Sequence, residues 1–238
     1  MMVLSMVILP ALPQVQAAGG GPPMITDDPG TPETGCWEIN ISYNTDLRPD
    51  EKEMEAPLLD INYGFNDRTQ LKVEVPYLFV KEDGQGWHGK LGHVTPGIKY
   101  RFLDQERDGV SVAFYPQLAI ATEEDVRNEY IFPIEIEASI GPVTLGTDIR
   151  YIYINGEDDS LQHGLLIGYE LGPRLEVMAE FVYEIKGGFN QSDGVVNFGF
   201  RYEMDRWLSV IASTGTGVFQ CNGNQADFIS FAGVQINI

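Results

Sequence analysis

From Trp37 onward, apolar and polar residues alternate with period two through twelve successive segments. This is the period of a strand with one apolar and one polar face. The segments cover roughly 37–44, 54–65, 69–80, 93–103, 110–121, 130–140, 143–154, 162–171, 175–186, 195–203, 207–216 and 227–238. Many are about ten residues long, the length a tilted strand needs to cross a bilayer, whereas strands of soluble proteins are commonly five or six. No segment carries a convincing helical period. In 69–80, Leu71, Val73, Val75, Tyr77 and Phe79 form one face, and Gln70, Lys72, Glu74, Pro76 and Leu78 the other. In 130–140, Tyr130, Phe132, Ile134, Ile136, Ala138 and Ile140 stand against Glu135 and Glu137, and 175–186 sets an apolar row against Glu176, Glu180 and Glu184.

The connections alternate between short and long. Asn66 to Arg68, Asp104 to Asp108, Gly141-Pro142, Gly172 to Arg174 and Met204 to Arg206 are short. The stretches 45–53, 81–92, 122–129, 155–161, 187–194 and 217–226 are longer and acidic, Gly-rich or both. An even number of strands, short periplasmic turns and long external loops is the pattern of outer-membrane barrels. The expected fold is therefore all-β: a single antiparallel transmembrane β-barrel of about twelve strands, with both termini in the periplasm. Closure also removes the exposed sheet edges that such a chain has no helices to cover.

Charged side chains are rarely buried unpaired, so the polar face is either outer surface around an apolar core or the wet lumen of a membrane barrel. Three features favour the lumen: closure itself, aromatics, and basic residues sharing the face with the acids. Tyr43, Tyr63, Phe79, Phe102, Tyr130, Tyr153 and Tyr183 end the apolar faces, as interfacial girdles do. Counted along strands of alternating direction, Asp60, Glu74, Lys99, Glu135, Asp148 and Glu180 fall at similar height. The expected lumen or selectivity set is Asp60, Lys72, Glu74, Lys99, Arg101, Glu135, Glu137, Asp148, Arg150, Glu180 and Glu184. Such a belt serves equally as a selectivity ring, a salt-bridged plug or a solvated network.

Composition sharpens this picture at the ends of the chain and in its charge. Residues 1–18 are apolar and uncharged, with a small-residue pattern at Val15 to Ala17, and read as a removed export signal. Residues 19–36 then form a flexible N-terminal leader and 37–238 the barrel. Against 15 Lys plus Arg stand 35 Asp plus Glu, a net charge of -20, which opposes binding to nucleic acid. An exported chain permits a disulfide, but Cys36 and Cys221 fall at opposite ends of the expected barrel, out of bonding reach.

Candidate chemistry is sparse. His88, His93 and His163 accompany no Gly-x-Ser-x-Gly elbow, and the chain carries no His pair or Cys cluster of metal-binding spacing. Neither catalytic residues nor a cofactor or metal site is expected, and the chain is not expected to be an enzyme. The acidic runs Asp46, Asp50, Glu51 and Glu53, then Glu123 to Asp125, then Glu157 to Asp159, read first as solvated loops, and alternatively supply the oxygen ligands that weakly bound divalent cations take, bridging to lipopolysaccharide phosphates.

The stretches ThrAspAspProGlyThrPro at 26–32, TrpGluIleAsn at 37–40, AlaProLeuLeuAspIleAsnTyrGly at 56–64, AspArgThrGlnLeuLysValGluValPro at 67–76 and GlyIleLysTyrArgPheLeuAsp at 97–104 resemble the outer-membrane transporter family named for the meta-pathway of phenol degradation. The chain departs from that family at Cys36, where a residue such as His is expected, and in ending on Ile238 rather than on an aromatic. The resemblance implies an outer-membrane barrel admitting small aromatic or apolar compounds. The overall expectation is an outer-membrane channel for passive uptake of small molecules, in contact with outer-membrane lipid and lipopolysaccharide. The alternatives are a non-conducting structural or adhesive barrel with a salt-bridged plug, and a soluble exported β-sandwich binding protein.

Overall fold

The computed structural model describes residues 21–82, 84–124, 126–188, 191–221 and 225–238. The export signal expected at 1–18, the first two leader residues and Asp125 of an acidic run lie outside the described residues.

The chain forms one antiparallel sheet closed into a barrel. Its strands are β1 (Trp37–Leu47), β2 (Glu51–Asn66), β3 (Thr69–Glu82), β4 (His88–Leu91), β5 (Thr95–Leu103), β6 (Ser111–Phe114), β7 (Gln117–Ala119), β8 (Glu129–Ile140), β9 (Val143–Ile154), β10 (Ser160–Gly172), β11 (Leu175–Lys186), β12 (Gln191–Asp205), β13 (Leu208–Cys221) and β14 (Phe228–Asn237). Closure comes from β1 against β14, in register from Glu38 opposite Asn237 to Leu47 opposite Phe228. Trp37 and Ile238 finish it by exchanging backbone hydrogen bonds of 2.7 and 2.9 Å.

Fourteen strands make twelve staves, because two staves are each broken in two. Both β4 and β5 pair with β3, and both β6 and β7 pair with β8. The breaks coincide with prolines in neighbouring staves, Pro76, Pro96, Pro116 and Pro133. Proline has no N–H to give to a ladder, and here three of these prolines contribute only their carbonyls: Gly92 donates to Pro76, Ile98 to Pro116 and Tyr115 to Pro133, at 3.0, 3.1 and 3.1 Å.

At one end of the barrel the connections are tight: Asn66 to Thr69, Ile140 to Val143, Gly172 to Leu175 and Asp205 to Leu208. Here also lies the single-turn helix α1 (Gln105–Asp108), capped by the Asp104 side chain and closed by Gly109 in the left-handed conformation, φ 79°. At the other end, Ala119 to Glu129 and Cys221 to Phe228 are longer. The 45–53 connection is shorter than expected, reduced to the residues between Leu47 and Glu51, because β1 and β2 extend through both of its flanks.

The outward face is apolar: Leu71, Ile98, Ile134, Leu145, Leu165 and Ile167 are all exposed. Aromatics gather towards both ends, as in the Trp37–Tyr63, Tyr100–Phe102, Tyr130–Tyr153 and Tyr183–Phe219 contacts. Inside, polar side chains are buried, and the one cluster of buried apolar residues is Met24, Leu166 and Met178 among the described residues. A sandwich would reverse this arrangement, so the soluble-sandwich alternative falls with the closed barrel.

Candidate functional site: the bore and its N-terminal segment

Strand alternation turns the sequence-predicted charges inward, and the register brings most of them together. Asp60, Lys99, Glu135, Asp148 and Glu180 are 0–3% exposed. Lys99 lies 3.0 Å from Glu135, two staves away. Lys72 joins Glu74 at 2.7 Å and Asp60 at 3.5 Å, and Arg150 meets Asp148 at 3.0 Å. Buried charges that pair in this way avoid most of the cost of leaving water. Tyr115, 1% exposed at the break between β6 and β7, lies beneath both ammonium groups, 5.5 Å from Lys72 and 5.0 Å from Lys99. Its ring fits because Gly97 faces it: a β-carbon there would come within 2.6 Å.

The expected belt is not complete. Arg101 sits at the tight-turn end, held by Asp104 at 3.2 Å and by the Asp67 carbonyl. Glu184 lies towards the opposite end, 3.4 Å from Lys186, and Glu137 is half-buried on the inward face below Glu135.

The flexible leader needs correction. Residues 33–36 pass β2 at the tight-turn end, where 33–35 are exposed, and residues 21–32 lodge in the bore, where Thr26 is fully buried. The amides of Ile25 and Thr26 donate to the Glu180 carboxylate at 2.9 and 2.8 Å. Arg201 and Ser213 donate to the carbonyls of Pro22 and Pro23 at 2.9 and 2.7 Å. Lys99 reaches both the Asp27 carboxylate, at 3.3 Å, and the Asp28 carbonyl. One segment thus ties β5, β11, β12 and β13 together across the interior. Two glycines give it room: a β-carbon at Gly164 would lie 2.3 Å from Thr26 Oγ1, and one at Gly64 2.1 Å from the Glu33 carbonyl oxygen. Burial pushes the Asp27 carboxyl up, but Lys99, then Lys72 and Arg150, outweigh it and hold the group well below the usual carboxylate range.

Sequence reasoning gave Asp27, Asp28 and Tyr115 no role in the bore, and placed Glu176 and Arg201 on the polar face without including them in the belt. Glu176 and Arg201 pair at 3.2 Å across adjacent strands. The available signal was the Asp27-Asp28 pair, the first acids of the chain, in a stretch otherwise dominated by Gly and Pro.

The segment packs against β9 to β12 and leaves the opposite wall, β14, β1, β2 and β3, facing a cavity of about 360 Å³. Its wall carries Asn40, Ser42, Asn44 and Asp46 from β1, and Glu53, Glu55 and Asp60 from β2. The odd and even positions on β2 both face inward because a bulge falls between Glu55 and Leu58, where β2 spends one residue more than β1. Arg48, beside Asp46 at 2.9 Å and Asp193 at 3.7 Å, stands at the loop end above the cavity. The two cysteines are free and at opposite ends: Cys36 precedes β1 at the tight-turn end, and Cys221 ends β13. His163 contacts Thr147 Oγ1 at 3.0 Å, and His93 the Arg127 carbonyl at 2.9 Å.

No protein-family model matches the chain, and no curated protein matches it. Its fold is that of outer-membrane channel barrels. A crystal structure of an outer membrane channel from Pseudomonas putida F1 superposes with TM-score 0.73 at 13% identity, covering 89% of this chain and 99% of that one. The KdgM porin superposes with TM-score 0.61 at 14% identity and the NanC porin with 0.61 at 12%. Each of these two alignments covers 83% of this chain and 98% of the other.

Proposed function

We propose that the protein is an outer-membrane channel for passive entry of small molecules, its bore narrowed by residues 21–32. One observation carries the reading: a closed barrel, apolar outside, encloses a charged interior that opens into a cavity of about 360 Å³ instead of a packed core. The tight turns face the periplasm and the loop end faces outward, the orientation of such barrels generally. Solute enters at the loop end, meets the acidic wall of the cavity, and passes the Lys99 and Glu135 level when the segment yields. An apolar solute has a second exit, sideways into lipid. The short stretches shared with the phenol meta-pathway family support aromatic or apolar compounds as cargo. The outer partners are lipid and lipopolysaccharide, with divalent cations bridging the acidic loops to phosphate; calcium titration without heat removes that bridge.

Within the sequence-predicted set the roles divide. Glu135 and Glu180 hold Lys99 and the segment, so replacing them acts first on the segment. Glu53 and Glu55 face the cavity without a basic partner among the described salt bridges, and these give the entrance its preference for cations.

The test is conductance of the folded full chain in a planar bilayer under a salt gradient. Cation-selective steps support the channel. Silence, both for the intact chain and for a variant whose segment is displaced, supports the second reading, a non-conducting structural barrel. The observation favouring that reading is the hydrogen-bonded fit of residues 25 and 26 on Glu180.

A further inference from the structure

The cavity wall has an excess of hydrogen-bond acceptors that the protein does not use. Asn40 and Asn197 are each 1% exposed and Ser42 6% exposed, and all three line the cavity. The Asn40 and Asn197 carbonyl oxygens and the Ser42 hydroxyl have no hydrogen-bond partner among the described residues, and neither does the Asn44 carbonyl oxygen. A buried polar atom without a partner is costly, and native interiors leave few of them. The Asn40 amide group already donates to Asp60 and Glu38, and that of Asn44 to Glu55. What the two asparagines leave on this wall therefore accepts, and the Ser42 hydroxyl can accept as well as donate. The carboxylates of Glu53 and Glu55 add two more acceptors with charge.

These groups form rungs along two strands. Asp46 faces Glu53, Asn44 faces Glu55, and, past the bulge, Asn40 faces Asp60. Successive inward rungs on one strand lie about 6.6 Å apart. A compact site for one metal ion is absent: no group of three or more acids, histidines or cysteines converges to hold one among the described residues. Apolar groups share the lining, Phe231 and Ile229 beside Asn44 and Asp46 on the same wall and Pro22, Pro23 and Met24 of the segment across from them, with Lys72 and Arg150 as its cations. A ligand matching this wall carries several N–H donors and positive charges, spaced along a chain, with apolar links between them.

We propose that the cavity binds a linear aliphatic polyamine. Its ammonium groups hydrogen-bond to Glu53, Glu55 and the free oxygens of Asn44 and Asn40, and its methylene links lie against Phe231, Ile229 and the prolines of the segment. The cavity volume falls at the lower end of the range for small-molecule sites, about 300–1,000 Å³. Ammonium groups bonded to carboxylates make the stronger, charge-assisted kind of hydrogen bond. This inference rests on the channel reading for access from the loop end, and binding itself requires no conduction.

The probe is spermidine, titrated calorimetrically into the full folded chain in neutral detergent, with magnesium chloride as the comparison cation. The expected result is saturable binding of one spermidine per barrel, at least tenfold tighter than magnesium. It weakens at least tenfold when Glu53→Gln and Glu55→Gln are combined, with the barrel still shifting on heating in gels. Asn44→Leu, which leaves both carboxylates, is expected to weaken it severalfold. Absence of saturable heat, equal affinity for magnesium, or unchanged affinity in both variants overturns the proposal. A barrel that binds spermidine and never conducts rejects the channel reading alone. A barrel that conducts and ignores spermidine rejects this site alone.

Discussion

The middle of the bore and the wall of the cavity above it are built from the same kinds of residue and are satisfied in opposite ways. Around Thr26 the acids are matched: Glu135 by Lys99, Asp148 by Arg150, and Glu180 by two backbone amides of the N-terminal segment. Along β1 and β2 towards the loop end, Glu53, Glu55 and the oxygens of Asn40 and Asn44 have few donors or none. The difference shows where a barrel spends its polar groups. Where the chain itself supplies the donors, the interior is a structural joint. Where it does not, the interior is left competent to receive something else.

The heaviest blow to this contrast is Lys99→Met. It leaves Asp27 and Glu135 without their nearest cation, and stranding one member of a buried pair typically costs about 3–5 kcal/mol. The temperature of the heat-induced gel shift is expected to fall, and unchanged migration would count against Lys99 as the centre of the joint. Gly164→Leu is next. Its side chain occupies the place of Thr26 Oγ1, and overpacking of this kind costs about 1–3 kcal/mol. The segment is expected to leave its seat while the barrel persists, giving larger conductance steps than the parent chain.

Acid gives a smaller and reversible effect. The folded-state pKa of Asp27 is depressed, so its contribution to docking is complete above the unfolded value of about 3.9 and is lost as pH falls through the lower folded value. Conductance at pH 7 and pH 5 is therefore expected to match in this respect, with segment release only in stronger acid. Release between pH 7 and pH 5 would assign control to a different group. The smallest effect on stability belongs to Glu53→Gln with Glu55→Gln, within about 0.5 kcal/mol as for side chains outside a buried network. The change is instead expected in function, as a severalfold drop in cation-over-anion preference measured by reversal potential. If these two variants destabilised the barrel as much as Lys99→Met, the two regions would not differ as described.

Much of this was legible in the chain. The twelve staves, the outward rows such as Leu71 to Phe79, and the inward positions of Asp60, Lys99, Glu135, Asp148 and Glu180 all follow from period two, a property each residue shares only with its immediate neighbours. The bulge before Leu58 was not legible from alternation. It reverses the parity of β2, and so places Glu53, Glu55 and Asp60 on one wall despite their mixed spacing. The breaks in two staves were concealed for a similar reason: Pro76, Pro96, Pro116 and Pro133 become neighbours only when the strands are in register.

The N-terminal segment marks the boundary most clearly. Its Pro- and Gly-rich composition determines that it forms no strand, and read alone it is a tether. Its place in the bore depends on Glu180, Arg201 and Ser213, each more than 150 positions away along the chain. Away from the β2 bulge, the sequence by itself determined which side chains face outward and which face inward, because strand geometry assigns faces locally. Only the tertiary structure decided which inward charges are consumed by the protein's own backbone and which remain open, because that depends on distances set by closure of the whole barrel.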